Sequence, residues 1–153
     1  MSVNILGVDY NINDTVRLDL SAENLIEIPE GVFELINLKE LGLDYNELIE
    51  IPLNINKLVK LTTLRLGNNK LTTIPDIRSL VKLNYLDLNH NELTSIPCEL
   101  CEMKKLRYVN LGNNCIHDEE SIKIFNDLPV RSKHMSDQKQ LIMSSIILPM
   151  VII

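Results

Sequence analysis

The sequence predicts an α/β solenoid, with parallel β strands on its concave face and short turns or helical segments on its convex side. Three features predict this fold. A leucine pattern returns every 22 or 23 residues, two leucines in each copy alternate with polar residues, and four copies carry an Ile-Pro pair. One copy cannot bury its own leucines, so neighbouring copies must stack into a continuous core.

The chain has 153 residues, of which 45% are hydrophobic and 24% are charged. This length suffices for one domain with a sizeable core. Five glycines, six prolines and three cysteines exclude collagen-like and disulfide-dense classes. The net charge of −6 argues against a general affinity for nucleic acid, and no basic stripe with interleaved aromatic residues occurs.

The repeats are predicted over residues 15–117, in five copies that start at residues 15, 38, 61, 83 and 106. In the second copy, Leu41 and Leu43 have the two-residue period of a strand with one buried face. Leu38, Leu48 and Ile51 do not fit that period, so the chain must turn inward several times in each copy. The segment after each Ile-Pro pair is expected on the convex side.

An asparagine follows each strand at the same position of the repeat. These residues are Asn46, Asn69, Asn91 and Asn114. A buried amide there can donate to, and accept from, backbone groups of neighbouring turns. We interpret the four residues as a structural ladder and not as ligands. The first copy has Glu23 in this position, followed by Asn24, so a distorted or solvent-facing turn is expected there.

The pattern Leu61-Thr-Thr-Leu64-Arg-Leu66-Gly-Asn-Asn69-Lys-Leu71, followed by Ile74-Pro75, resembles the leucine-rich repeat family. The repeat length and the Ile-Pro pair resemble its intracellular 23-residue subtype, as in Ras-suppressor-type, plant Ras-group-related and Scribble-like proteins. The resemblance implies a non-enzymatic protein-binding module or scaffold in intracellular signal transduction. It also implies partners such as small GTPases, kinases or phosphatase subunits, among which no residue selects.

Both ends of an open stack expose core and need covers. We expect residues 1–14 to cap the first end and residues 118–130 to cap the last. In the second cap, Ile122, Ile124, Phe125 and Leu128 are predicted to lie along one buried helical stripe. Extracellular members of the family that the chain resembles close their ends with paired cysteines. No such framework occurs here, which agrees with the intracellular subtype.

Residues 131–153 are predicted to form a tail, polar over Arg131–Gln140 and apolar over Leu141–Ile153. The apolar run is too short for a membrane-spanning helix and contains Pro149. Several interpretations stay open: a β segment packed on the core, a disordered remnant, the end of a fragment, or a membrane contact that recruits the chain as an adaptor. A cytoplasmic protein is expected, because no signal-like run begins the chain and three cysteines cannot all pair.

The outward residues of the strands define the candidate binding face. The candidate contact residues are Tyr45, Arg65, Tyr85, Asp87, His90, Tyr108 and Asn110. Tyr85 and Tyr108 are predicted neighbours, and tyrosine is a favoured binding anchor. The alternative is that the two rings only pack against each other across the strands.

Charged residues also fall into neighbouring positions of this face. Arg17 is expected beside Glu40, and Arg65 beside Asp87. Such neighbours act either as solvated lateral pairs, each worth about 0 to 1 kcal/mol, or as a pattern that a partner matches.

No enzyme, metal site or cofactor is predicted. Cys98 and Cys101 form a C-x-x-C pair, and Cys115 and His117 follow, but the repeat separates the two pairs by one strand. Cys101 occupies the position of Phe33 in the first repeat and is expected to be partly buried. The sequence contains no nucleophile elbow or phosphate-binding glycine loop, and His90 is expected to be a contact residue.

Overall fold

The computed structural model describes residues 1–135 and contains a six-stranded parallel sheet. Its strands, in spatial and chain order, are β3 (Arg17–Asp19), β4 (Glu40–Gly42), β5 (Thr63–Arg65), β6 (Tyr85–Asp87), β7 (Tyr108–Asn110) and β8 (Ser132–His134). Strands that are consecutive in the chain are therefore neighbours in space, as in a solenoid. The predicted fold class is confirmed.

The core consists of leucine ladders that run across the strands. Leu41 pairs in register with Leu18 and Leu64, and Leu64 pairs with Leu86. These side chains are buried, as are the second leucines of each strand segment, such as Leu43. Parallel strands lie about 4.8 Å apart, so each leucine contacts its equivalent in the next repeat.

The convex side carries short 3₁₀ helices that begin directly after a proline. They span Glu30–Glu34, Leu53–Lys57 and Cys98–Glu102. Each turns one aliphatic side chain, for example Ile55, into the core. The third repeat is one residue shorter after Pro75 and has no 3₁₀ helix, although Ile77 still fills the equivalent core position.

The four asparagines after the strands are buried and link neighbouring repeats. The Asn69 amide nitrogen donates to the carbonyl oxygens of Leu43 (2.9 Å) and Leu66 (3.1 Å). Its oxygen accepts from the Leu48 N–H at 3.0 Å. Asn46, Asn91 and Asn114 make the equivalent donor bonds. In the first repeat, Asn24 has a positive φ of 56° and is exposed.

A β hairpin covers the first end of the stack. Its strands are β1 (Ser2–Ile5) and β2 (Val8–Asn11), which pair antiparallel. Ile5 is buried in the core, and Val3 packs against it. The hairpin approaches Gly31 so closely that a Cβ there would lie 2.7 Å from the Val3 Cγ2 atom. Gly31 therefore permits this contact.

Helix α1 (Glu119–Asp127) covers the other end. The Asp118 side chain caps it by accepting from the Ser121 N–H at 2.7 Å. Ser121, Phe125 and Leu128 are buried. The predicted stripe is wrong for Ile122, which is 39% exposed: Ser121 faces the core instead, where its Oγ accepts from the Ile96 N–H at 2.9 Å.

Residues 131–135, which the sequence analysis assigned to the tail, lie partly in the sheet as β8. Lys133 occupies the inward position of this strand, where the other strands carry leucine or valine. Its Nζ donates to the carbonyl oxygens of Phe125 (2.8 Å) and Asn126 (2.7 Å) at the end of α1. The predicted apolar segment Leu141–Ile153, with its suggested membrane contact, lies outside the described residues.

Candidate protein-binding face

The strand registers place the outward side chains in rows across the sheet. One row contains Arg17, Glu40, Thr63, Tyr85, Tyr108 and Ser132. The next contains Asp19, Gly42, Arg65, Asp87, Asn110 and His134. The first five members of each row hold the same position in the five repeats. The side chains of these two rows thus form one continuous face of the sheet.

Tyr85 and Tyr108 stack against each other on this face. Their ring centroids are 4.4 Å apart and their planes differ by 6°. This separation is close to the spacing of two neighbouring strands, so the register alone brings the rings together. Both side chains stay half-exposed. The pair therefore offers a rigid apolar surface with two hydroxyl groups.

Polar groups surround the stacked tyrosines. The Tyr85 hydroxyl lies 3.4 Å from Asp87 Oδ2, and burial, followed by the charge of Asp87, raises the pKa of Tyr85 to about 12. The hydroxyl therefore stays protonated and can donate at any physiological pH. Asn113 Nδ2 lies 3.3 Å from His90 Nε2 at the turn that follows these strands.

The residues at that turn have a left-handed backbone. They are Ala22, Tyr45, Asn68, His90 and Asn113, with φ between 52° and 61°. Asparagine adopts this conformation more readily than other residues with a side chain, whereas a tyrosine or histidine there is unusual. The sequence analysis did not include Asn113 among the contact residues, although asparagine also precedes the ladder residue at Asn68.

Arg65 forms its ion pairs on the side of β5 that faces away from the tyrosines. Its Nε lies 3.3 Å from Asp44 Oδ2, and its Nη2 lies 3.6 Å from Asp19 Oδ2. The expected position of Arg65 beside Asp87 is confirmed by the strand register, but within residues 1–135 the two side chains form no ion pair. Gly42 leaves room for this contact: a Cβ there would lie 2.6 Å from Asp19 Oδ1 and 2.9 Å from Arg65 Nη2, so any side chain would force the two groups to shift. The expected Arg17–Glu40 pair is present at 3.1 Å.

The two carboxylates around Arg65 titrate in opposite directions. Burial raises the pKa of the Asp44 carboxyl, despite its hydrogen bond from the Gly67 N–H and the charge of Arg65. The Ser21 hydroxyl donates to Asp19 at 2.6 Å and lowers the pKa of that carboxyl. Asp87 forms no ion pair within residues 1–135, so its charge is not neutralised there.

The structure thus divides the predicted contact residues into two groups. Tyr85, Asp87, Tyr108 and Asn110 lie on the neighbouring strands β6 and β7, and with His90 at the adjoining turn they form one patch. Arg65 belongs to a self-paired charge cluster, and Tyr45 lies in the turn after β4, where it is 66% exposed. We call the first group the tyrosine patch.

The cysteines lie apart from this face. Cys98 is exposed on the convex side, and Cys101 is partly buried with its Sγ 3.8 Å from the Ile124 carbonyl oxygen. Burial raises the pKa of the Cys101 thiol. Among residues 1–135, no three His, Cys, Asp or Glu side chains converge as a metal site requires. No helix in the same range is long and apolar enough to cross a membrane.

Two sequence models of one family match the chain. The model described as "Leucine rich repeat" matches residues 59–116, and the model described as "Leucine Rich repeats (2 copies)" matches residues 36–79. Together they span more than half of the chain. The chain belongs to the leucine-rich repeat family. Its 23-residue intracellular subtype stays a prediction, and no curated protein sequence matches the chain.

Solved structures share the repeat fold. A leucine-rich repeat protein of Leptospira interrogans is 30% identical with a TM-score of 0.61, over 72% of this chain and 30% of that one. The leucine-rich repeat ectodomain of the receptor kinase SOBIR1 from Arabidopsis thaliana is 27% identical with a TM-score of 0.63, over 79% and 69%. An internalin of Listeria monocytogenes is 21% identical with a TM-score of 0.64, over 73% and 33%, and shows the fold alone.

This chain therefore spans about a third of the length of the Leptospira and Listeria proteins. Leucine-rich repeat domains generally act as protein–protein interaction modules, and proteins of the family are typically non-enzymatic. Their stacked repeats build extended curved surfaces for that purpose.

Proposed function

We propose that this leucine-rich repeat protein is a non-enzymatic scaffold that binds a protein partner through the tyrosine patch. The stacked pair of Tyr85 and Tyr108 carries the proposal. Tyrosine combines apolar area with a polar tip and loses little side-chain entropy on binding. The stack reduces that loss further, because each ring is already held by the other.

The neighbours of the pair define the partner's chemistry. Asp87 and Asn110 flank the rings on the same two strands, and His90 lies at the adjoining turn. Because no cation within residues 1–135 neutralises Asp87, we expect the partner to bring a cationic or hydrogen-bond-donating side chain to it. In the Arg65 cluster one guanidinium is shared between two carboxylates, so the cation is already paired and one negative charge is left over.

The wider role of the scaffold follows from the resemblance in the sequence. We propose that it acts in intracellular signal transduction in the cytoplasm. Partners of the intracellular subtype, such as small GTPases, kinases or phosphatase subunits, are the first candidates. The repeat length and the four Ile-Pro pairs support this choice over other subtypes.

Affinity purification with the full chain as bait tests the proposal. The native chain is compared with a variant that carries Tyr85→Ala and Tyr108→Ala, and captured proteins are quantified by mass spectrometry. A partner that depends on the patch is enriched by the native chain alone, and its purified form should bind the variant at least about tenfold more weakly. Circular dichroism checks that the variant is folded.

The matched control replaces Ile26 and Ile49 with alanine. These residues are also exposed apolar side chains in neighbouring repeats, 67% and 61% exposed, but they lie beyond the strands. The control should capture the same proteins as the native chain. The proposal is refuted if the tyrosine variant captures every protein that the native chain captures, with equal yield.

A further inference from the structure

A second surface lies where the chain turns into each strand. Four equivalent turns lead into β4, β5, β6 and β7: Leu35–Leu38, Leu58–Leu61, Leu80–Leu83 and Met103–Leu106. In each, the last residue's N–H donates to the first residue's carbonyl oxygen at 2.9 Å. We call them the entry turns. Since the four backbones are alike, their two central side chains must form two rows across the repeats.

The first row is apolar. It consists of Ile36, Val59 and Val81, which are 51%, 46% and 63% exposed, and it ends at Lys104. Single exposed aliphatic residues are normal on a protein surface. Three at one equivalent position in three consecutive repeats form a continuous strip instead, because neighbouring rungs lie about 4.8 Å apart.

The second row is polar and largely basic. It consists of Asn37, Lys60, Lys82 and Lys105. Lys60 Nζ donates to Asn37 Oδ1 in the preceding turn, which shows that members of this row are in contact range. Within residues 1–135, neither these three lysines nor Lys104 forms an ion pair. The strip is thus bordered by positive charge in a chain whose net charge is −6.

A cavity of about 280 Å³ adjoins the end of the strip. Leu80, Val81, Leu83 and Met103 line it, together with Lys104 and Lys105. The one carboxylate in its wall, that of Glu102, is paired with Arg78 at 3.1 Å. Leu80 and Leu83 are fully buried beneath it, so an aliphatic side chain from outside would pack mainly against Val81, beside two lysines that can face an anionic group.

We propose that the entry turns form a second docking surface, which binds an acidic amphipathic helix of a partner protein. An α-helix advances about 5.4 Å per turn, close to the spacing of about 4.8 Å between rungs. A helix laid across the repeats therefore brings one aliphatic side chain per turn against Ile36, Val59 and Val81. Glutamates that flank this stripe then face Lys60, Lys82 and Lys105.

A peptide series tests the charge and the pattern together. The probe is a fluorescein-labelled helical peptide of about four turns, with leucine once per turn and glutamate on both sides of that stripe. One control peptide has the same composition in scrambled order, and another has lysine in place of glutamate. In anisotropy titrations with the full chain, the probe should bind at least about tenfold more tightly than either control. Equal binding of all peptides, or no binding of the probe, overturns the proposal.

Variants locate the binding. The double substitution Val59→Glu with Val81→Glu should weaken binding of the probe by at least about tenfold, because it places two glutamates against the glutamates of the peptide in the buried interface. Ile26→Glu with Ile49→Glu makes the same chemical change on the strand-exit side and should leave the affinity unchanged. Tyr85→Ala with Tyr108→Ala should also leave it unchanged, which separates this surface from the tyrosine patch. Equal loss in the Val59/Val81 and Ile26/Ile49 variants contradicts the assignment.

Vesicles distinguish a membrane from a protein partner. Exposed aliphatic side chains next to lysines also suit an anionic lipid surface. The strip contains only three short side chains, and we therefore expect no flotation of the full chain with phosphatidylcholine–phosphatidylserine vesicles through this surface. Flotation that the Val59/Val81 variant abolishes, without discrimination among the peptides, overturns the protein-partner proposal in favour of a membrane.

Discussion

The buried asparagine ladder leads to a stability prediction whose magnitude follows from its hydrogen bonds. Asn91 is fully buried, and its amide nitrogen donates to the carbonyl oxygens of Leu66 (2.9 Å) and Leu88 (3.0 Å). Its oxygen accepts from the Leu71 N–H at 3.0 Å. In an Asn91→Ala variant both carbonyls keep another amide donor, from Asn69 or Asn114, whereas the Leu71 N–H loses its acceptor.

One orphaned buried N–H costs about 1–3 kcal/mol, and each of the two weakened carbonyls costs about 0.5–1.5 kcal/mol. Asn91→Ala should therefore lower the free energy of unfolding by about 2–6 kcal/mol, a large part of the about 5–15 kcal/mol typical of a domain. Urea titration followed by far-ultraviolet circular dichroism measures this loss.

The matched control for this experiment is Asn89→Ala. Asn89 is the same residue type two positions away, and its side chain makes no hydrogen bond within residues 1–135. The control should change the free energy of unfolding by less than about 0.5 kcal/mol. A loss of under about 1 kcal/mol in Asn91→Ala, or an equal loss in the control, would refute the account of the ladder.

Three further predictions concern charges, a ring and a glycine. The folded pKa of Asp44 is raised, so its contribution to stability is present below the unfolded pKa of about 3.9 and is lost as pH rises through the folded pKa. The folded pKa of Asp19 is lowered, so its contribution is present above the unfolded pKa and is lost as pH falls through the folded pKa. The stability differences between the native chain and the Asp44→Asn and Asp19→Asn variants, measured by urea titration across the acid range, should therefore change in opposite directions. Tyr85→Phe should remove the component near pH 12 from the alkaline absorbance titration of the tyrosines, and a curve that keeps this component contradicts the burial of the Tyr85 hydroxyl beside Asp87. Gly31→Val should speed amide hydrogen exchange over Ser2–Asn11 while β4 to β7 stay protected, because its Cβ would lie 2.7 Å from Val3 Cγ2; unchanged exchange would show that the hairpin is not held there.

The leucine spacing predicted the central part of the fold, because equivalent residues of every copy adopt the same local structure. Leu41 and Leu64 are register partners since they hold the same position in copies 23 residues apart. The contact between Tyr85 and Tyr108 followed from the same spacing. Where the repeat ends, this reasoning fails. Strand β8 was missed because Lys133 stands in the inward position, and a lysine there makes sense only once the end of α1 offers carbonyl oxygens to it.

Side-chain direction was harder to predict than side-chain position. Arg65 was correctly placed beside Asp87, but its guanidinium extends over Gly42 to Asp19. A long side chain has several partners within reach, and its position in the register does not say which of them it pairs with. The hydrophobic pattern placed Phe125 and Leu128 correctly but not Ile122, because the buried hydrogen bond from the Ile96 N–H to Ser121 turns Ser121 into the core in its place.

A hydrogen-exchange footprint of the complex tests the central claim most directly. The full chain is compared alone and with the purified partner that the affinity experiment identifies. The account predicts slower exchange over Tyr85–Asp87 and Tyr108–Asn110, with the turn at His90, and little change over the convex 3₁₀ helices. Protection confined to the convex helices, or to the N-terminal hairpin, would contradict the claim that the tyrosine patch binds the partner.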